Sequence, residues 1–253
     1  AILPTATQYA RNAIFLGLMP LEIAKTFPEL WVDEESEEGK NLNEEPMIAS
    51  LLKRYRKPYS FAYRKVYETS FGERLLAQLN ELEDNQLNVI VLNFVDMLSH
   101  ARTESKMIRE LASSEAAYRS LTQSWFRHST TYRLFEQIAQ IGAKIILTTD
   151  HGTVRVRKPV KIVGNRNTST NLRYKLGQSL TFDAKEAYAP RKPKDIGLPV
   201  NHLTDGYVFC YEQNFFAYPN NYNYYVNYYR DTLQHGGISM EEMLVPCITL
   251  TPR

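Results

Sequence analysis

Cysteine is nearly absent from this sequence: Cys210 and Cys247 are the only two among 253 residues. Two thiols are too few for a disulfide framework or for a zinc site built from cysteines. No run approaches the roughly 20 apolar residues needed to span a bilayer. The opening Ala1-Ile2-Leu3-Pro4 has neither the basic start nor the long apolar core of a secretory signal. A cytoplasmic protein with reduced thiols is the simplest expectation. Histidine is scarce, at five residues, and the net charge is only +2. Hydrophobic residues at 43% and charged residues at 23% make an ordinary globular balance. That balance excludes a mainly disordered, collagenous or coiled-coil chain. The length suits one large α/β domain or two small ones.

The small net charge hides an asymmetry. Residues 154–194 hold eleven Lys/Arg and two acids, a local charge of +9 against −7 for the rest. Residues 29–45 are the acidic counterpart, with eight Asp/Glu and one Lys. A localised basic field suits an anionic ligand such as a phosphate ester or nucleotide, while a solvated, loop-rich basic surface accounts for it equally well.

Hydrophobic spacing divides the chain further. A helix starts near Thr7, with Thr7 as an acceptable N-cap, and Gly17 and Pro20 end its apolar run. Residues 33–45 read as a mobile acidic loop, and 47–56 and 72–84 as amphipathic helices, with Leu75, Leu76, Leu79 and Leu82 at helical spacing. Asn88–Val95 and Ala143–Thr149 read as short buried strands, separated by a long helical region over about 103–141 that breaks once near Thr122–Ser129. Residues 152–205 show many basic and turn residues and little helical periodicity. Gly206–Tyr211 and Met243–Leu250 are further strands. Strands alternating with helices predict an open, largely parallel sheet.

In open α/β sheets, ligands bind beyond the carboxyl ends of the strands. Asp96 follows the first buried strand, with His100 four residues on, so a helix there puts both on one face. Asp150 and His151 follow the second strand, and Gly152 lets the chain turn sharply. His235-Gly236-Gly237 precedes the last strand. Each alone is more often a turn residue or cap. Jointly, three predicted edges of one sheet offer the imidazole and carboxylate ligands that zinc accepts. His128 and His202 have no comparable setting. Thr7, before a helix, is a plain N-cap on local grounds; metal coordination would make its hydroxyl a nucleophile.

These pieces together resemble the alkaline phosphatase superfamily, and specifically its PglZ branch. Pro4-Thr5-Ala6-Thr7-Gln8-Tyr9-Ala10-Arg11 resembles the nucleophile loop, with Thr7 in the nucleophile position. Asp96-Met97-Leu98-Ser99-His100, Thr149-Asp150-His151-Gly152 and His235-Gly236-Gly237-Ile238-Ser239 resemble its metal-binding blocks. Residues 166–175 and 218–225 resemble the output domain of PorX-type response regulators, which act in two-component control of type IX secretion.

The resemblance implies a three-layer fold around a central, mostly parallel sheet, covering residues 1–253 as one domain with a basic insertion over about 152–205. It also implies that a strand bearing a further Asp ligand, and a receiver domain, belong upstream in a longer chain. Two zinc ions are implied, one held by Asp96, His100 and His235 and the other by Asp150, His151 and Thr7. Thr7 would be the catalytic nucleophile, with Thr5 the alternative. Arg11, Asn171, Arg173 and Lys175 would hold substrate oxygens, although a salt bridge at the helix start explains Arg11 as well. Six tyrosines within 215–229 offer either base stacking or packing.

The expected activity is hydrolysis of small nucleotide phosphodiesters, linear or cyclic oligonucleotides. Expected partners are a second copy of the chain, and a sensor kinase and regulatory proteins acting through the receiver domain. A phosphomonoesterase, or a non-catalytic metal- and nucleotide-binding dimerisation module, are the rival readings. Membrane association is not expected, and duplex DNA binding is disfavoured by the lack of a helix-turn-helix with a basic recognition helix.

Overall fold

The computed structural model describes residues 2–33, 41–66, 73, 75–77 and 79–252. Most of the predicted acidic loop, and part of the helix expected over 72–84, lie outside the described residues. In chain order the elements are α1 (Thr7–Leu16), α2 (Pro20–Thr26), α3 (Glu44–Arg54), β1 (Phe61–Val66), α4 (Leu79–Glu83), β2 (Leu87–Leu92), α5 (Phe94–Glu104), α6 (Lys106–Leu111), α7 (Glu115–His128), α8 (Thr130–Gln140) and β3 (Ile145–Thr148). There follow β4 (Val154–Arg155), β5 (Lys158–Val163), β6 (Tyr174–Gln178), β7 (Thr181–Phe182), β8 (Ala187–Tyr188), a 3-10 turn (Pro193–Ile196), β9 (Asp205–Cys210), β10 (Asn214–Ala217), α9 (Tyr222–Tyr229), β11 (Leu233–Gln234), α10 (Met240–Met243) and β12 (Cys247–Leu250). None of the described helices is long and apolar enough to cross a membrane. The chain divides into two units, Ala1–Arg56 with Thr149–Val245, and Lys57–Thr148 with Pro246–Arg253.

The first unit is built on β9 and β10, which are buried on both faces. Side chains alternate along β9, so Tyr207 and Phe209 enter one cluster with Tyr9, Tyr174 and Leu198. Val208 and Cys210 enter another with Val160, Ile162 and Phe216. Phe215 and Ala217 of β10 face the other way, onto Val154, Val156 and Val226. Burial also pushes the Cys210 thiol far up from its ordinary pKa, so it behaves as a small hydrophobe. Strands run in the orders β10-β5-β7, β6-β9-β8 and β11-β4. Backbone bonds knit them together, with Cys210 N–H donating to Arg173 C=O at 2.8 Å and Ile238 N–H to Cys210 C=O at 2.9 Å. Helix α1 packs on the Tyr174–Tyr207 cluster through Tyr9. It ends at Gly17, whose φ of 64° is the left-handed cap that glycine adopts without strain. Pro20 then opens α2 at a position where its missing N–H costs nothing.

In the second unit β1 and β2 pair in parallel, with Phe61 opposite Leu87. Leu75, Leu76, Leu82 and Leu134 form the core beneath them. The region expected to be one long helix with a single break is instead divided three times. Ser105 and Ser114 accept hydrogen bonds from Ile108 N–H and Ala117 N–H, at 3.4 and 3.1 Å, and so start α6 and α7. Ser129 separates α7 from α8. Phe94 stacks on Trp125 at 3.8 Å, joining α5 to α7.

The fold is mixed α/β, as expected, but the pairings do not draw a central, mostly parallel sheet. Among the described residues only β1–β2 and β5–β10 are parallel. β3 finds its partner at the far end of the chain, β12, which runs the opposite way. The basic segment, read as turn-rich with little helical periodicity, forms short strands: β5 and β7 pair with each other, while β4 pairs with β11 and both β6 and β8 pair with β9, all antiparallel.

Candidate active site

Thr7 is the first residue of α1 rather than its cap. The N-cap is Ala6, whose carbonyl accepts from Tyr9 N–H at 3.0 Å and Ala10 N–H at 2.9 Å. The threonine hydroxyl is therefore not used in capping. It lies 3.2 Å from His151 Nε2. His151 Nδ1 is 3.0 Å from the Gly152 carbonyl. A carbonyl can only accept, so Nδ1 carries a proton, and in the neutral ring the Thr7 hydroxyl donates to Nε2. The first intrahelical bonds come from Tyr9 and Ala10, so the N–H groups of Thr7 and Gln8 point out of the helix end, a setting that favours an anion.

Asp150 and His151 sit in the turn that follows β3, as the strand pattern predicted. Asp150 Oδ2 is 3.9 Å from His151 Nε2 and accepts from Arg11 Nε at 3.2 Å. Burial pushes the Asp150 carboxyl up, but His151 and Arg11 outweigh it, and the group is held below the usual carboxylate range. Gly152 is needed for space rather than for a sharp turn. A Cβ there would lie 2.0 Å from the Glu241 carbonyl oxygen. The Gly152 N–H donates to the Glu242 carbonyl at 2.9 Å. Gly152→Ala is therefore expected to cost about 1–3 kcal/mol in denaturant unfolding, as overpacking against backbone does.

His235 follows β11 and stacks on His151, with ring centroids 3.9 Å apart and planes 12° apart. Its Nδ1 is 3.0 Å from the Thr5 carbonyl, so His235 also carries its proton on Nδ1. Thr5 itself is fully buried. Its hydroxyl donates to Gly237 C=O at 2.8 Å and accepts from Gly236 N–H at 3.0 Å. A hydroxyl so enclosed is not presented to a substrate, which removes the alternative nucleophile. In the second unit, Asp96 and His100 share one face of α5 at 3.6 Å, as their spacing predicted.

The residues expected to hold substrate are placed differently. Arg173 is buried and forms a two-point pair with Glu242, Nε to Oε1 at 3.0 Å and Nη2 to Oε2 at 2.7 Å. It also donates to Ser239 Oγ at 2.6 Å and to the Asn214 carbonyl. Lys175 is buried too, donating to Ser169 C=O at 2.8 Å beneath the Tyr218 ring. Asn171 Oδ1 accepts from Arg173 N–H at 2.7 Å and Tyr174 N–H at 3.2 Å. Arg173 and Lys175 are thus built into the protein interior with their charged ends on protein partners, which is not the placement expected of substrate-holding side chains, and the part-buried Asn171 has its carboxamide oxygen committed to backbone. Arg11 bridges Asp150 and the buried Glu44, each at 3.2 Å, which is the salt-bridge reading of that residue.

The basic field is weaker than its residue count. Lys158 pairs with Glu186 at 3.1 Å, and Arg155 and Arg157 with Asp231 at 3.1 and 3.3 Å. Lys161, Arg166, Lys185, Arg191, Lys192 and Lys194 remain exposed. The tyrosine-rich stretch forms α9, where Val226, Tyr222 and Tyr229 pack inward and Tyr224 and Tyr225 face solvent. Sequence reasoning missed Glu44 and Glu242 as buried partners. Ser239-x-x-Glu242 reads as a capping box, a signal that locates α10 and its carboxylate.

An α/β protein that sets a hydroxyl at a helix N-terminus against imidazole and carboxylate has the side chains of a phosphoesterase-like protein. This chain belongs to the PglZ family: the family model described as the BREX system PglZ alkaline phosphatase-like domain matches residues 1–250. It is thus a member of the alkaline phosphatase superfamily. No curated protein matches the chain.

Proposed function

We propose that this chain is a metal-dependent phosphodiesterase acting on small nucleotide phosphodiesters, with Thr7 as its nucleophile. The observation that carries the reading is the 3.2 Å contact between Thr7 Oγ1 and His151 Nε2, made by a hydroxyl released from capping. The donor set fits a divalent cation such as zinc. Hydroxyl, carboxylate and imidazole come together at Thr7, Asp150 and His151, and the histidine presents Nε2 with Nδ1–H fixed by a backbone carbonyl, the arrangement of metal-ligating imidazoles. Thr7, Asp150 and His151 would take one zinc, and the resemblance gives the other to Asp96, His100 and His235. Bound cations would acidify the Thr7 hydroxyl and neutralise charge on the phosphoryl oxygens. The residues of the chain do the rest. Thr7 Oγ1 attacks phosphorus in line and gives up its proton to solvent, while the P–O bond to the leaving nucleoside oxygen breaks and that oxygen takes up a proton from water. A second water then hydrolyses the phosphothreonine and restores the Thr7 hydroxyl. The helix end receives the anion, and Arg11 fixes the Asp150 carboxylate.

A nucleotide substrate is favoured by the exposed lysines and arginines of the basic segment and by the solvent-facing Tyr224 and Tyr225, whose rings can stack a base. Assignment to a response-regulator output in type IX secretion rests on the likeness of residues 166–175 and 218–225. The three-layer, mostly parallel sheet is the architecture that superfamily membership leads us to expect. The test is hydrolysis of bis(p-nitrophenyl) phosphate and p-nitrophenyl phosphate by the zinc-supplemented chain. Diester cleavage abolished by chelator and restored by zinc is expected. Preference for the monoester would redirect the reading to a phosphomonoesterase, and silence on both with zinc bound would leave a binding module.

A further inference from the structure

We infer that Thr5 is a positioning residue that clasps the His235–Gly237 turn and fixes the tautomer in which His235 works. The inference deepens the phosphodiesterase reading, and rests on it for the role of His235. Three bonds carry it. The Thr5 hydroxyl accepts from Gly236 N–H at 3.0 Å and donates to Gly237 C=O at 2.8 Å. The Thr5 carbonyl accepts from His235 Nδ1–H at 3.0 Å.

One residue thus satisfies the donor and acceptor of two successive glycines and sets which ring nitrogen of the preceding histidine bears the proton. The imidazole then presents Nε2 as its acceptor nitrogen, the form a metal or a phosphoryl transfer needs. The turn is held from its other side by Glu242, which accepts from Gly237 N–H at 2.9 Å and Ser239 N–H at 3.0 Å. It has no slack, because a Cβ on Gly236 would lie 2.6 Å from Asn171 Oδ1 and one on Gly237 would lie 2.5 Å from the Cys210 carbonyl.

Thr5 also lies two residues before Thr7, so the segment that carries the hydroxyl is pinned by the same bonds that orient His235. Thr5 touches no reacting atom; it acts through His235 and through the course of its own segment.

The test compares the wild-type chain with Thr5→Val, which keeps the shape and loses the hydroxyl, and Thr5→Ser, which keeps the hydroxyl. Long-range ¹H–¹⁵N correlation spectra of the metal-free protein, recorded at about pH 8 where imidazole is neutral, report the His235 tautomer independently of any turnover. Wild type and Thr5→Ser are expected to show Nδ1–H alone, and Thr5→Val a mixture with Nε2–H. With zinc, Thr5→Val is expected to lose about 10- to 100-fold in metal affinity or turnover, and Thr5→Ser to stay within a few-fold of wild type. An Nε2–H proton on His235 in the wild-type chain overturns the inference by itself, even if Thr5→Val fails to fold. An unchanged tautomer in Thr5→Val also overturns it, whatever the effect on turnover. A wild-type chain that shows the expected tautomer but cleaves no phosphate ester removes the phosphodiesterase reading and leaves the clasp standing.

Discussion

Arg173→Met is expected to lower stability by about 3–5 kcal/mol, because it leaves the Glu242 carboxylate buried without its cation. Both side chains are fully excluded from solvent, so no water can replace the guanidinium. Against a total stability of roughly 5–15 kcal/mol this is a large fraction, and the melting temperature is expected to fall by roughly 10 °C. Thermal or denaturant unfolding followed by circular dichroism measures it. The double variant Arg173→Met/Glu242→Met separates two contributions. Replacing a buried ion pair by apolar side chains is often neutral, but Glu242 also accepts from Gly237 and Ser239 N–H. The double variant should therefore remain less stable than wild type, since two buried N–H groups lose their acceptor. Full recovery would mean that those backbone bonds contribute nothing.

The second large effect is on chemistry. Thr7→Val should reduce diester turnover by at least about 10³-fold, the scale on which removal of a nucleophile is felt. Folding should change little, because the side-chain shape is kept and one partly buried hydrogen bond is lost, about 1 kcal/mol. Thr7→Ser retains an oxygen nucleophile and should retain turnover within about 10-fold. Steady-state kinetics on the same chromogenic diester, with unfolding curves for each variant, decide it. Turnover by Thr7→Val close to that of wild type would remove Thr7 from the reaction.

Much of the architecture was legible because local physics dominates it. Gly17 and Pro20 end and restart helices through backbone constraints that any sequence reveals. The apolar β-branched runs at 88–95 and 143–149 gave β2 and β3 because strand-forming side chains were concentrated there, but the strands are not buried as expected: β2 is part-buried and stops at Leu92, with Phe94 and Val95 opening α5, and Ile146 and Leu147 of β3 are exposed. Asp150, His151 and His235 were singled out because each stands at a predicted sheet edge beside turn-forming neighbours, and Thr7 because those metal-ligand candidates gave a role to a hydroxyl otherwise read as a helix cap.

What escaped has a different physical origin. Ser105 and Ser114 divide the helical region by capping, and a serine in a helical run reads as surface until its partner N–H is known. Arg173 and Lys175 were expected to hold substrate because the resemblance puts basic side chains there, and nothing in the sequence marks them as buried. Their partners, Glu242 and the Ser169 carbonyl, are supplied by tertiary folding. Thr5, two residues from Thr7, was indistinguishable from it locally, and the difference lies entirely in residues 235–237.

The close approach of Gly152 to the Glu241 carbonyl has a consequence for how the protein is made. The turn bearing Asp150 and His151 rests on backbone synthesised some ninety residues later, and its N–H waits for the Glu242 carbonyl. Arg173 and the His235–Gly237 turn wait for the same residue's carboxylate. A growing chain on the ribosome can thus form α1 and most of its strands while its reactive turn is still unsupported. A nascent chain that stops short of residue 242 carries every side chain proposed for the chemistry, and lacks the peptide groups that hold them in place.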